Sequence, residues 1–437
     1  MEILIVLICL VILILLISFY KINTVLSFLI VSIFGGLSLG IPANKVISSI
    51  QKGMGDTLGS LVFIIGLGAM LGKLIAESGA GQKIAEVMMN FFGEKYIQWA
   101  LIVTGFIIGI PLFYGVGFVL VIPIIFSVVY KYKFPAVYIG LPMLAALSVT
   151  FGFLPPHPSP TALVLQFHGN MGLTLMYGLL ISIPAIIIAG PMLASQLKNI
   201  KSEPLSTFIL TDKNSNKLPG GFESFFSAIL PVVLLMLTTI LNSTFNSNGL
   251  VSKILSFIGD PVVVMLFALM IATYLLGIKQ GRTIKSVMNI FSEAIKDIGM
   301  ILLIIGSAGA FKQVLLDSQV TVSIGKSLNG IPLNPLILSW IIAASIRVCV
   351  GYATVAGLTT AGIVAPLLLT THVNPNLMVL SIGAGSLAFS HVNDSGFWLF
   401  KEYFNLSIKD TLRSWTIMET IIALVGLGGV LLLNLII

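Results

Sequence analysis

The chain has 437 residues, 57% of them hydrophobic and only 9% charged, and a formal net charge of +7. A soluble domain carries about 25% charged residues, so this chain has too little polar surface to cover itself in water and calls for a lipid-facing exterior. Its Lys and Arg are dispersed rather than clustered, which argues against nucleic acid. Cys9 and Cys349 each sit inside an apolar run and offer neither a disulfide framework nor a thiolate metal site.

Apolar runs of about 18 residues or more recur from Ile3 to the C-terminus, long enough for helical bilayer crossings. They do not alternate as barrel strands do. The first run, 3–20, has only Met1 and Glu2 before it and no basic leader, so it reads as a retained helix rather than a cleaved signal. A second helix is expected at 23–41, an interfacial stretch carrying Lys45 and Lys52 at 43–56, and a third span at 58–76. A polar turn with Lys83, Glu86, Glu94 and Lys95 follows. The run 97–130 is too long for one crossing. Its centre, Gly109-Ile-Pro-Leu-Phe-Tyr-Gly-Val-Gly117, predicts either a hairpin that enters and returns or a long broken helix. The span 136–167 is expected to break at Gly152-Phe-Leu-Pro-Pro-His-Pro-Ser-Pro160, where four prolines prevent a continuous helix. A plain helix fills 171–195, and the one long polar loop, 196–222, holds Lys198, Lys201, Lys213 and Lys217.

The second half follows the same plan. Helices are expected at 223–242 and 260–278, then a basic turn with Lys279, Arg282 and Lys285, a span at 298–316 and a hairpin-like run at 335–370. A further span breaks at Ser390-His-Val-Asn-Asp-Ser-Gly396, and a last helix covers 414–436. Segments 66–78 and 306–318 align at an offset of 240, matching Gly66 to Gly306, Glu77 to Asp317 and Ser78 to Ser318. Both interrupted runs and both broken spans keep nearly that offset. The domains predicted are a first transmembrane repeat at 1–196, a cytoplasmic linker at 197–222 and a second repeat at 223–437.

With both termini outside and both long runs returning to their starting side, sixteen Lys and Arg fall inside. Four fall outside: Lys45, Lys52, Lys253 and Lys326. That excess follows the positive-inside rule. Each half then crosses five times, an odd number that requires its twin to be inverted. The expectation is an all-α polytopic membrane protein of two inverted-topology repeats, with about ten full crossings. Each repeat carries a re-entrant or hairpin run and a broken helix, the pattern of secondary transporters.

The interruptions carry the polar groups. Backbone exposed at membrane depth is tolerable only when buried in protein or facing a watery cavity, and half-helix N-termini present partial positive charge to an anion. In the first broken span, His157, Ser159 and Thr161 are candidate substrate ligands, and His157 doubles as a proton relay. A structural kink with a satisfied histidine is the plainer alternative. In the second, Asp394 is a candidate proton or Na⁺ site with His391 beside it, while Asn393 and Ser395 suit hydroxyls. Asp394 or Ser395 also serves as a helix cap. Tyr114 marks the first hairpin tip, and Arg347, Thr354 and Thr359 populate the second. Arg347 either grips a carboxylate bidentately or pairs with an acid or snorkels. Lys401 with Glu402 reads as a solvated pair, and Lys73 and Lys312, with Glu77 and Asp317 one turn on, as helix-end pairs. Hydrolase, phosphate-loop and metalloprotease motifs are missing from the sequence, and the four histidines lack metal-ligand spacing. Neither catalysis, nor a metal, nor a cofactor is expected.

At these residues the sequence resembles the gluconate:proton symporter family of bacterial permeases. The resemblance is carried by Gly66–Ala85, Leu154–Ala162, Ile305–Ser318, Arg347–Pro366 and Ser390–Phe404, the last reading Ser-His-Val-Asn-Asp-Ser-Gly-Phe-Trp-Leu-Phe-Lys-Glu-Tyr-Phe. It implies uptake of gluconate or a related small hydroxy acid with a proton, in the plasma (inner) membrane, within the ion-transporter superfamily. A homodimer is compatible with it. One departure stands out: the family's acidic position in Phe-Phe-Glu-x-Gly is here Gly115, within Phe113-Tyr-Gly-Val-Gly117. That leaves Asp394 or His157 to carry the cation, or a different ion such as Na⁺, or a different acid such as D-serine or glycerate. A passive anion channel, the rival from another class, predicts non-saturating flux without accumulation.

Overall fold

A computed structural model describes residues 2–200, 202, 218–244, 250–320, 333–371 and 373–437, and every regular element among them is helical. Lys201, Lys213, Lys217 and Lys326, and so most of the predicted linker, lie outside the described residues. In chain order the longer helices are α1 Glu2–Ile14, α2 Thr24–Ser38, α3 Ala43–Glu77, α4 Ala80–Phe92, α5 Ile97–Gly109 and α6 Tyr114–Tyr132. They continue with α7 Ala136–Phe153, α8 Pro158–Gln166, α9 Met171–Ile187, α10 Gly221–Thr244, α11 Leu250–Ile258 and α12 Pro261–Ala272. The last six are α13 Ile284–Asp317, α14 Pro335–Val350, α15 Ala353–Thr370, α16 Pro375–Gly385, α17 Ser395–Tyr403 and α18 Ile417–Asn434. Among the described residues, eight helices are long and apolar enough to cross a bilayer, or nine if the bent pair α4–α5 counts as one. Shorter apolar helices of 10–17 residues include α2, α14 and α16.

The interruptions fall where proline and glycine put them. The run 97–130 divides at Ile110–Phe113, 136–167 at 154–157, and 335–370 at Gly351 and Tyr352, while residues 386–394 separate α16 from α17.

Four local expectations are corrected. The interfacial stretch at 43–56 and the span at 58–76 form one helix, α3, of 35 residues. At 1.5 Å per residue it is about 52 Å long, against a hydrocarbon core of about 30 Å. Likewise the span expected at 298–316 begins at Ile284 and takes in Lys285. The polar turn at 83–95 is mostly α4, whose buried Ala80, Gly81, Ile84 and Ala85 share one face while Lys83 pairs with Glu86. Lys73 pairs across helices with Asp297 at 3.0 Å instead of with Glu77.

Tertiary packing explains why α3 does not break at its glycines. It lies along α13, and Gly53 meets the backbone of Gly309 so closely that a Cβ there would overlap the Gly309 carbonyl oxygen and Gln313. Small residues let helix backbones approach in this way where no hydrophobic force drives association. Gly53→Ala is therefore expected to separate the two helices and lower the thermal midpoint in detergent, at a cost of about 1–3 kcal/mol.

Candidate functional site

The breaks converge on one cavity of about 640 Å³. Four helices begin at its wall: α6 with Tyr114 and Gly115, α8 with Pro158, α15 with Ala353, Thr354 and Val355, and α17 with Ser395 and Gly396. Each of these starts is dictated locally. Pro111 and the Pro155–Pro160 cluster end the preceding helices, Gly351 terminates α14 in a left-handed turn at φ 85°, and Asp394 caps α17. In α6 and α15 the first intrahelical bonds are Gly117 N–H to Phe113 O and Ala356 N–H to Tyr352 O. The N–H groups of residues 114–116 and 353–355 precede those bonds, and neither helix has a side-chain cap. Unpaired N–H groups and the helix dipole together make an anion-binding end.

The charged centre lies beside them. Arg347, at the end of α14, donates from Nη2 to Asp394 Oδ2 at 2.5 Å, both side chains being buried. Ser390 Oγ donates to the same Oδ2, Trp415 Nε1 donates to Ser390 Oγ at 2.8 Å, and Asp394 Oδ1 accepts the Gly396 N–H at 3.1 Å. Asp394 thus acts as both an ion-pair partner and a cap. The Arg347 fork is half used: its Nε and Nη1 are buried without a hydrogen-bond partner. A buried donor left open costs about 1–3 kcal/mol, so the guanidinium keeps hydrogen-bonding capacity for an acceptor placed beside it. Phe113, Tyr114, Phe151 and Trp415 supply an aromatic wall.

Of the residues singled out in the sequence, Tyr114, Arg347, Thr354, Asp394 and Ser395 line the cavity. His157 does not. Its Nε2 lies 2.8 Å from the Gly109 carbonyl, to which it donates, tying the α7–α8 break to the end of α5. Ser159, Thr161 and Thr359 are buried with unpartnered hydroxyls, and Gly357 of α15 passes close to Ser159. Asn393 donates to the Val348 carbonyl at 2.7 Å, and His391 Nε2 lies 3.2 Å from the same oxygen. Lys401 pairs with Glu402 at 2.8 Å. Gly115, where the resemblance led to an expected acid, faces the cavity, and a Cβ there would meet nothing within 4 Å.

Two charged lining residues were not anticipated. Lys21 is exposed at the rim. Glu419 of α18 is 2% exposed; Ser148 Oγ donates to its Oε1 at 2.5 Å, and its Oε2 is buried without a partner. The signal was available, since Glu419 is the single acid in the apolar run 414–436. An ionisable residue inside a membrane helix marks a functional position by default.

Comparison with known proteins bears on this arrangement. Residues 1–436 match the family model described as GntP family permease. The chain is 46% identical over 438 residues to a high-affinity gluconate transporter of Escherichia coli, covering 100% of both chains. It is 46% identical over 429 residues to a gluconate permease of Bacillus subtilis, covering 95% of this chain and 96% of that one. An L-idonate transporter of Escherichia coli is 44% identical over 416 residues, with 95% of each chain covered. Among solved structures, the YdaH transporter of Alcanivorax borkumensis superposes with a TM-score of 0.63 at 15% identity, covering 90% of this chain and 89% of that one. Neisseria gonorrhoeae MtrF superposes at 0.64 and 15%, covering 90% and 84%. At that identity the likeness is one of fold.

Proposed function

The chain belongs to the GntP family of permeases, a multi-pass membrane transporter and not an enzyme, and on that premise we propose that it imports gluconate by proton symport across the plasma membrane. One observation supports this reading above the others: Arg347, with two buried donors unpartnered, lines the same cavity as helix starts whose N–H groups have no cap. A sugar acid has one carboxylate and a row of hydroxyls. The carboxylate goes to the Arg347 guanidinium and the first turns of α6 and α15. Thr354, Ser395 and the Tyr114 hydroxyl meet the hydroxyls. His157 and Asn393 hold the breaks in place, and Ser159, Thr161 and Thr359 offer a second set of hydroxyls to a rearranged state.

The near-equal lengths of α3 and α13, 35 and 34 residues at the repeat offset, support the reading of two inverted repeats joined by a linker over 197–222. The linker is proposed to be cytoplasmic, with both termini outside. Alternating access is then movement of one bundle against the other around the fixed site. The relative named for L-idonate favours a second substrate of the same class, another six-carbon sugar acid.

Proteoliposomes test the reading. An inside-alkaline pH gradient is expected to drive labelled gluconate above its equilibrium level, with saturation and with competition by unlabelled sugar acids. Uptake indifferent to the gradient removes proton symport, and flux that never saturates favours a channel.

A further inference from the structure

We infer that Glu419 carries the proton that accompanies the substrate anion, an inference that rests on the symport reading above. The cavity's other candidates are engaged. Both oxygens of Asp394 are taken, Oδ2 by Arg347 and Ser390 and Oδ1 by the Gly396 N–H. His157 and His391 lie outside the lining, each with Nε2 on a backbone carbonyl. Glu419 is the acid that lines the cavity, is buried, and keeps one oxygen, Oε2, free of any partner. It has no ion-pair partner among the described residues.

The groups that face Glu419 are few. Ser148 of α7 donates to it, Arg347 of α14 and Asp394 act on it through space, and Tyr114 at the start of α6 is near. The flanking helices α9 and α16 contain no carboxylate, amine, imidazole or guanidinium. Arg413, six residues earlier, lines a separate groove with Met192 and Gln196. The charges then sum simply. Lys21 stands exposed at the rim; in the buried part Arg347 and Asp394 cancel, so a monovalent acid anion adds one negative charge there, and an ionised Glu419 makes it two. An unpaired charge at this depth is costly. A proton on Glu419 keeps the loaded cavity at a single negative charge, which links anion binding to protonation. The carboxylate takes H⁺ from water on the outer side when the anion docks and returns it to water on the inner side when the anion leaves. One proton and one anion cross together without net charge.

The test reads protons moved per gluconate in lightly buffered proteoliposomes with a trapped pH dye. The wild-type protein is expected to move about one proton per gluconate by this linkage. Glu419→Gln is expected to carry gluconate down its own gradient with a proton ratio roughly tenfold lower or less, because the amide cannot release a proton. Glu419→Asp, which keeps the acid, retains a ratio of about one at reduced flux. An unchanged ratio in Glu419→Gln overturns the inference, as does a ratio near zero in Glu419→Asp. A Glu419→Gln protein that is monodisperse but no longer binds gluconate also overturns it, since the residue is then a binding group. Wild-type flux with no accompanying protons defeats the symport reading instead, a result visible before any variant is made.

Discussion

Arg347→Ala is expected to abolish measurable gluconate binding and to destabilise the folded protein. The substitution does two things at once. It removes the unpartnered Nε and Nη1 donors of a residue that lines the cavity, and it leaves the Asp394 charge buried without its guanidinium. Truncating one member of a buried, hydrogen-bonded charge pair costs about 3–5 kcal/mol in stability. The lost grip on the substrate carboxylate costs about 2–5 kcal/mol in affinity, or roughly 30- to several-thousand-fold at 1.4 kcal/mol per decade. Arg347→Lys separates the two effects. An ammonium restores the pairing with Asp394 but offers no planar fork, so stability should return while affinity stays roughly tenfold or more below wild type. The double variant Arg347→Ala/Asp394→Ala removes the stranded charge as well and should regain thermal stability without regaining binding. Titration with labelled gluconate and thermal unfolding in detergent read the two quantities. Arg347→Ala binding within about threefold of wild type, less than 1 kcal/mol, removes the arginine from the carboxylate site.

Gly351→Ala is expected to produce the second-largest loss, through backbone rather than charge. Gly351 sits at φ 85° between α14 and α15, and its N–H closes α14 on the Arg347 carbonyl at 2.9 Å. An L-residue in that conformation costs about 1–2 kcal/mol. The larger problem is space, because a Cβ at 351 would overlap the Asn393 carbonyl of the other break. That neighbour has little freedom to retreat: Asn393 Nδ2 is bonded to the Val348 carbonyl at 2.7 Å, and Asp394 is held by Arg347, Ser390 and Gly396. The two breaks must then part, which carries Arg347 away from Asp394. Stability and gluconate binding are expected to fall together. Gly428→Ala provides the contrast, since its Cβ would meet nothing within 4 Å and alanine is the better helix former by about 1 kcal/mol. Thermal midpoints of the two variants should move in opposite directions.

The breaks themselves were legible in the sequence because proline and glycine act locally. Pro155, Pro156, Pro158 and Pro160 leave no way to continue α7 unbroken, and Gly351 ends α14 in the run where a hairpin was expected. What the breaks do to each other was not legible. Whether Arg347 grips a substrate, snorkels or pairs with an acid depends on a contact with Asp394, 47 residues away. In the fold it holds that acid with one nitrogen and leaves the two others without a partner. His157 reads as a relay on pKa grounds alone; its partner, the Gly109 carbonyl, is backbone and carries no signature. The continuity of α3 through Gly53 depends on α13 lying against it. Glu419 differs from these cases. A lone acid in an apolar run is visible in the sequence, but it lies in an unbroken stretch of helix, away from the interruptions that drew attention.

A structure of the protein with gluconate bound tests the shared cavity most directly. The carboxylate is expected on the Arg347 guanidinium, beside the first turns of α6 and α15, with the hydroxyls toward Thr354 and Ser395. Gluconate seated outside this cavity, or inside it with the carboxylate turned away from Arg347, would contradict the assignment of Arg347 as the anion's docking point.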